Sequence, residues 1–231
     1  SEAEAQAELH DFLRLDDDFE AICRDMAQDE RLREAMARYP GLRVLRQDPW
    51  ECLVSFICSQ VSNIPRISRN LRAIAETYGE ALDLDGRSPS AEGRRLYRFP
   101  GPSALAEVGA EGLFRLGLGF RAEYVAMAAR EVAEGRLDLL ALRAAPYQEA
   151  KAALLTLKGV GDKVADCTLL FSLDKLEGFP LDRWVRRALE EWYGVSPKAR
   201  YRDMLAWAQE RWGQRCGYVQ QYLFHYRRLM G

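Results

Sequence analysis

A lysine, an aspartate and a glutamine–phenylalanine pair are the residues of this 231-residue chain best suited to chemistry. Lys163 follows the turn Leu157-Lys158-Gly159-Val160-Gly161-Asp162 and stands at the head of an almost wholly apolar stretch reaching Leu173. The two glycines permit a tight helix–helix turn and leave backbone N–H groups exposed where the second helix starts. Amides and dipole there both favour an anion such as a phosphate. An ordinary αα-hairpin would use the same residues. A cation in a first helical turn opposes the macrodipole, and the apolar stretch that follows desolvates it. Both effects disfavour an ammonium, which is how an amine becomes a nucleophile near neutral pH. A lysine snorkelling to a phosphate is the other reading of the position. Asp182, in Phe179-Pro180-Leu181-Asp182-Arg183, stands where a helix N-cap belongs. A capping carboxylate is held rigid, and one facing Lys163 would stabilise positive charge developing in a transition state. Gln220 and Phe224 are four apart and off the stripe of Tyr218, Val219, Tyr222, Leu223 and Tyr226, so they share another helical face. An amide and a ring projecting together suit a planar base, one bonding its edge and the other stacking on its face. Packed helices present such neighbours too.

The elements that must position these groups read as helices. Apolar residues recur at helical spacing over 121–134, 147–157, 183–193 and 217–230, and no stretch alternates like a strand, so the chain reads all-α. Breaks are expected at Pro40-Gly41, Pro49, Gly86-Arg87-Ser88-Pro89, Pro100-Gly101-Pro102, Pro146, Pro180 and Pro197. Two helical lobes are expected, one formed by 1–60 with 196–231 and a central one over 61–195 that contains the glycine hairpin. A composition of 48 % hydrophobic and 29 % charged residues is ordinary globular usage and excludes disordered, collagen-like and disulfide-scaffold classes. The longest apolar runs, 53–58 and 168–173, are far too short to cross a bilayer, so no membrane partner is expected. The acidic N-terminus lacks the basic-then-apolar pattern of a signal peptide, and the chain reads as cytoplasmic, nucleoid-associated if prokaryotic. Cys23, Cys52, Cys58, Cys167 and Cys216 form no CxxC pair and are joined only by His10 and His225, which argues for a reducing compartment and against structural zinc. The net charge of −2 hides a polarity: residues 1–35 hold 12 acids and 4 bases, whereas 196–231 hold 7 bases and 2 acids. Such a molecule can present a basic face to nucleic acid, although two solvated helix faces would look the same.

The hairpin 157–163, the following Val164-Ala165-Asp166-Cys167 and Pro180-Leu181-Asp182 closely resemble the helix-hairpin-helix (HhH-GPD) superfamily of DNA base-excision glycosylases. Three further blocks agree with its 8-oxoguanine DNA glycosylase/AP lyase branch: Leu45-Arg46-Gln47-Asp48-Pro49-Trp50-Glu51-Cys52 with Phe56-Ile57-Cys58-Ser59, then Arg115-Leu116-Gly117-Leu118-Gly119-Phe120-Arg121-Ala122, and 217–224. The resemblance implies a two-lobed all-α glycosylase fold with the active site between the lobes, acting as a monomer on double-stranded DNA that contains a damaged purine. It implies that Lys163 attacks the sugar C1′, that a Schiff base and β-elimination follow, and that Asp182 supports the cationic transition state. It places Gln220, Phe224, Cys167, Trp184 and Phe171 at the base pocket. It places Gly159, Val160, Gly161, Gln60, Asn63, Arg66, Arg121 and the wedge Phe120 on DNA, with Arg66 and Arg121 at the base opposite the lesion, preferably cytosine. No cofactor is required. The carbonyls of Leu155, Leu157 and Val160 match a backbone site for a structural cation, and the four-cysteine iron–sulfur loop of related branches is missing.

The sequence also departs from the family. Its β-rich N-terminal domain is expected to be lacking, along with the carbonyl that detects the N7 hydrogen of 8-oxoguanine. Val61-Ser62-Asn63 replaces an asparagine run, and Trp184 with Arg227 replaces a His/Asp pair, which implies a remodelled pocket. Two alternatives stand beside the bifunctional enzyme. One is a monofunctional alkyl-purine glycosylase of the same fold, whose members generally lack the hairpin lysine. The other is a non-catalytic DNA-binding hairpin module, which would have no use for Lys163, Asp182, Gln220 and Phe224 together.

Overall fold

The computed structural model describes residues 2–82 and 95–230; the break expected at 86–89 lies outside them. Helices follow one another: α1 (Glu2–Phe12), α2 (Phe19–Met26), α3 (Glu30–Arg38), α4 (Pro49–Cys58), α5 (Ile64–Tyr78) and α6 (Pro102–Leu113). A wide π turn (Phe114–Leu118) leads to α7 (Arg121–Ala133), the short α8 (Ala141–Ala144), α9 (Tyr147–Leu155) and α10 (Asp162–Ser172). The chain closes with α11 (Arg183–Tyr193), α12 (Tyr201–Trp212), one 3-10 turn (Gly213–Arg215) and α13 (Cys216–Leu229). Among the described residues there is no strand, only an isolated antiparallel bridge between Ala81 and Tyr97. Short polar side chains start several helices, Asp182 among them as its sequence position predicts. Asp18, Asp29, Asn63 and Asp182 each accept amides of the turn they cap, a bond whose loss typically costs ~1 kcal/mol. Gly194, at φ 68°, ends α11 in the left-handed conformation usual after a helix.

The chain divides into two compact units. The first comprises Ser1–Asp48, Leu142–Lys151 and Gly161–Gly231. In it α13 packs against α3, α11 and α12. The α11 face buries Val185, Ala188 and Leu189, and α13 buries Tyr218, Val219, Tyr222 and Leu223, all fully shielded from solvent. Burial of each large apolar chain contributes roughly 1.5–3 kcal/mol. A Cβ on Gly217 would lie 2.2 Å from Leu170 Cδ1, and the Gly217 N–H donates to the Leu176 carbonyl at 2.7 Å. The absence of a side chain there lets the start of α13 close onto α10.

The second unit comprises Pro49–Ala141 and Ala152–Val160. It packs α6 on α7, and α4 on α5 and α7. Leu53, Val54, Ile57, Ile74, Leu105, Leu113, Leu118 and Val125 form its core, and Trp50 Nε1 donates to the Pro100 carbonyl at 2.9 Å. This division differs from the lobes expected at 60/61 and 195/196. Residues 49–60 fall in the second unit because α4 packs on α5 and α7. Residues 161–195 fall in the first because α11 packs on α13.

Candidate active site

The glycine hairpin is built by two different demands on its glycines. Gly159 has φ +82°, and a Cβ there would strike the Tyr124 ring at 2.3 Å, so the turn itself requires glycine. Gly161 caps α10 in extended backbone (φ −101°, ψ −179°), and a Cβ on it would meet nothing within 4 Å. Its missing side chain therefore serves access to the backbone at the start of α10. The Val160 N–H donates to the Leu157 carbonyl at 3.0 Å, inside the turn. The amides suited to an anion are those of the first turn of α10. Lys158 is exposed and paired with Glu123 at 2.7 Å.

Lys163 lies half-buried in that first turn and hydrogen-bonds the thiol of Cys167 one turn further on. Burial pushes the Cys167 thiol up to about 12 against the pull of Lys163, with Asp166 and Asp182 pushing it further. The thiol stays protonated at neutral pH and forms a neutral wall. Of the two expected catalytic groups, Lys163 is thus the one in contact with this sulfur, and Asp182 acts on it only through its charge. Asp182 is half-buried; its Oδ1 accepts the N–H of Trp184 at 2.9 Å and of Val185 at 2.8 Å. Oδ2 takes no part in the cap. The N-cap and the charge partner are thus compatible roles of one rigid carboxylate.

Gln220 is 5 % exposed. Its Nε2 donates to the Pro180 carbonyl at 3.2 Å, which fixes the amide and turns Oε1 into an acceptor. That Oε1 is buried with no hydrogen-bond partner in the structure, a condition that costs about 1–3 kcal/mol and so points to a ligand donor. Phe224 is half-buried four residues along α13, with the Arg228 guanidinium 5.8 Å from its ring centre. Trp184, also half-buried, carries Arg183 at 4.7 Å and Arg187 at 5.6 Å. Phe171 is buried, and its carbonyl accepts the Gln47 N–H at 2.8 Å. Arg227 pairs with Glu191 of α11 through both carboxylate oxygens, at 2.8 and 2.9 Å. Lys163, Cys167, Asp182, Gln220 and Phe224 all belong to the first unit.

The residues expected at the opposite base lie in the second unit. Asn63 caps α5 by accepting the Arg66 N–H at 3.0 Å, and Gln60 Nε2 donates to the Ile57 carbonyl at 3.1 Å. Arg66 is exposed, and Phe120 is 50 % exposed with its ring edge against Tyr124. Arg121 is placed differently. It is buried, donating to the carbonyls of Gln60 at 2.7 Å, Val61 at 2.8 Å and Leu118 at 3.1 Å, under the Phe120 ring at 4.5 Å. Burial, with Arg66 nearby, holds its guanidinium below the usual arginine range. Arg121 thus braces the backbone of Gln60 and Val61, while Arg66 is the arginine presented to solvent.

Among the described residues no group of three or more His, Cys, Asp or Glu could hold a metal ion. The Leu157 carbonyl keeps one lone pair after accepting Val160. Sequence reasoning missed a buried network on α9, α10 and α12, in which Lys151 pairs with both Asp162 and Asp166 at 3.0 Å. The spacing of those two aspartates, one helical turn apart, was the available signal.

An all-helical chain whose hairpin carries a lysine near a capping aspartate is a helix-hairpin-helix protein. Residues 54–214 match the family model of HhH-GPD superfamily base excision DNA repair proteins, and residues 1–53 match that of the 8-oxoguanine DNA glycosylase N-terminal domain. The segment 1–53, expected to begin the helical core, holds α1 to α3 and the start of α4 and also falls within the model of the family's N-terminal domain. A protein of Methanothermobacter thermautotrophicus described as a "Probable N-glycosylase/DNA lyase" is 32 % identical, over 88 % of this chain and 69 % of its own length. The Arabidopsis thaliana N-glycosylase/DNA lyase OGG1 is 33 % identical over 95 % of this chain, which spans 61 % of that protein. The structure of the Clostridium acetobutylicum 8-oxoguanine glycosylase/lyase, solved with double-stranded DNA containing cytosine opposite 8-oxoguanine, superposes with a TM-score of 0.91. It is 32 % identical and covers 99 % of this chain, which spans 76 % of that one. The chain belongs to the HhH-GPD superfamily of base excision DNA repair proteins, in its 8-oxoguanine DNA glycosylase branch.

Proposed function

We infer that this chain is a bifunctional DNA glycosylase/AP lyase that excises 8-oxoguanine from double-stranded DNA, preferably opposite cytosine. The observation that carries this reading is that one unit holds Lys163 at the start of α10, the Asp182 carboxylate fixed at the start of α11, and a buried Gln220 Oε1 without a partner. The first turn of α10 takes a backbone phosphate, and the damaged nucleotide leaves the stack. The Gln220 acceptor matches the N1–H and N2–H donors that a guanine-type base presents, and Phe224 stacks on its face. The Lys163 amine, as the neutral form, attacks C1′; the C1′–N9 bond breaks and the departing base takes a proton. The nitrogen loses its own proton, the sugar ring opens, and a Schiff base forms. Loss of a C2′ proton then expels the 3′ phosphate oxygen and nicks the strand. The Asp182 carboxylate opposes the positive charge that builds on the sugar. Amine and carboxylate supply the whole reaction, with any cation on the carbonyls of Leu155, Leu157 and Val160 serving only the hairpin's shape.

The test is a labelled duplex carrying one 8-oxoguanine opposite cytosine, with and without borohydride. A nick without borohydride and a covalent adduct with it are expected for the wild-type protein. Lys163→Gln is expected to lose both while binding the duplex within a few-fold. Nicking that survives Lys163→Gln would remove Lys163 from the mechanism, and release of the base without nick or trapped adduct would replace this reading with a hydrolytic one.

A further inference from the structure

Asp166 lies on α10 between Lys163 and Cys167 and is fully buried. A buried carboxylate is tolerated only when paired and hydrogen-bonded, and this one is. The Tyr147 hydroxyl donates to Oδ1 at 2.5 Å, while Lys151 Nζ at 3.0 Å and the Tyr201 hydroxyl at 2.6 Å donate to Oδ2. Tyr201 does something that Tyr147 does not. While its O–H donates to Asp166, its oxygen accepts the Leu181 N–H at 3.3 Å. Leu181 is the residue before Asp182. One hydroxyl therefore bonds both the helix that carries Lys163 and the peptide unit that leads into the carboxylate serving it.

The neighbouring bonds make this link consequential. Residues 180–182 run in extended chain between α10 and α11, without a helix ladder to hold them. The Pro180 carbonyl is held by Gln220, the Leu181 N–H by Tyr201, and the Asp182 carboxylate by the first amides of α11. The Gln220 bond ties the segment to the proposed base pocket. The Tyr201 bond, through Asp166, ties it to α10. We propose that Tyr201, anchored by Asp166 and Lys151, is a positioning residue that sets Asp182 relative to Lys163. The proposal rests on the reading of those two as the reacting pair. Lys151, which also pairs with Asp162, supplies the cation that makes the buried Asp166 charge tolerable.

Tyr201→Phe removes one oxygen atom and keeps the ring. Tyr147→Phe removes the other phenol from the same carboxylate but leaves the Leu181 link intact. In single-turnover excision on the 8-oxoguanine duplex, Tyr201→Phe is expected to slow base release roughly ten- to a hundredfold, the scale of an ångström-level misplacement. Its dissociation constant for the duplex should stay within about twofold of wild type, since neither base nor phosphate is touched. Tyr147→Phe is expected to lower the unfolding temperature comparably while keeping the rate. An unchanged rate in Tyr201→Phe overturns the proposal, as does an equal rate loss in Tyr147→Phe, which would trace the effect to Asp166 alone. Borohydride trapping on an abasic-site duplex is run in parallel, because it needs Lys163 and Asp182 but no base pocket. A wild-type protein inert on both duplexes refutes the functional reading and this inference with it. One that traps only on the abasic duplex refutes the substrate alone, and the ratio between the two variants then decides the inference.

Discussion

Asp182 carries two demands on two oxygen atoms, and substitution can separate them. Oδ1 holds the first amides of α11, whereas charge stabilisation needs the carboxylate's net charge. Asparagine keeps an acceptor in place of Oδ1 but loses the charge. Asp182→Asn is therefore expected to leave stability within about 0.5 kcal/mol while slowing base release by roughly 10²–10³, the usual scale for removing such a stabiliser. Asp182→Ala should show the same slowing and also lose about 1 kcal/mol of stability with the cap. Single-turnover excision and chemical denaturation check both; an undiminished rate in Asp182→Asn would leave the residue a cap only. Local residue types were enough to find Asp182, because an N-cap is decided by the first turn it serves. The same local reasoning offered no sign that Arg121 would donate to three carbonyls. Two of those carbonyls belong to residues some sixty positions away, beyond the reach of any helical period.

At the level of elements, the hairpin's two glycines are expected to respond to alanine in opposite ways. Gly159→Ala must adopt φ +82° and push the Tyr124 ring aside, so a loss of about 2 kcal/mol or more is expected in denaturation, with DNA binding falling alongside. Gly161→Ala enters ordinary extended backbone and open space, so stability should change by less than about 0.5 kcal/mol. A methyl group beside the first amides of α10 should nevertheless weaken duplex binding roughly tenfold, about 1.4 kcal/mol. Undiminished binding by Gly161→Ala would mean that no phosphate approaches this turn. The helices that frame the hairpin were legible because their apolar stripes are local: α7, α11 and α13 start and end within a residue of the periodicities over 121–134, 183–193 and 217–230.

Over the whole molecule, exposed ion pairs set the expected acid limb of stability. Hydrogen bonds from Arg46, Arg136, Arg227 and Arg200 hold Asp16, Glu131, Glu191 and Asp203, respectively, below the ordinary carboxylate values. A depressed carboxylate contributes stability that is present above its unfolded pKa and lost as pH falls through its folded one. The unfolding temperature is thus expected to decline below about pH 4. The contribution of these solvent-screened pairs should shrink in high salt; a limb indifferent to salt would assign the decline to buried groups instead. Asp166, raised by burial, works in the opposite sense. By itself the amino-acid sequence determined the helices over 121–134, 183–193 and 217–230, the Asp182 cap and the glycine turn before Lys163, because each follows from residues within a turn or two of one another. Tertiary structure alone decided that α4 joins the second unit, that Gly217 brings α13 against Leu170, which way the Gln220 amide faces, and that Tyr201 reaches both Asp166 and Leu181. Those contacts join positions 20 to 47 residues apart, where the packing of side-chain shapes selects the partners and no local periodicity records the choice.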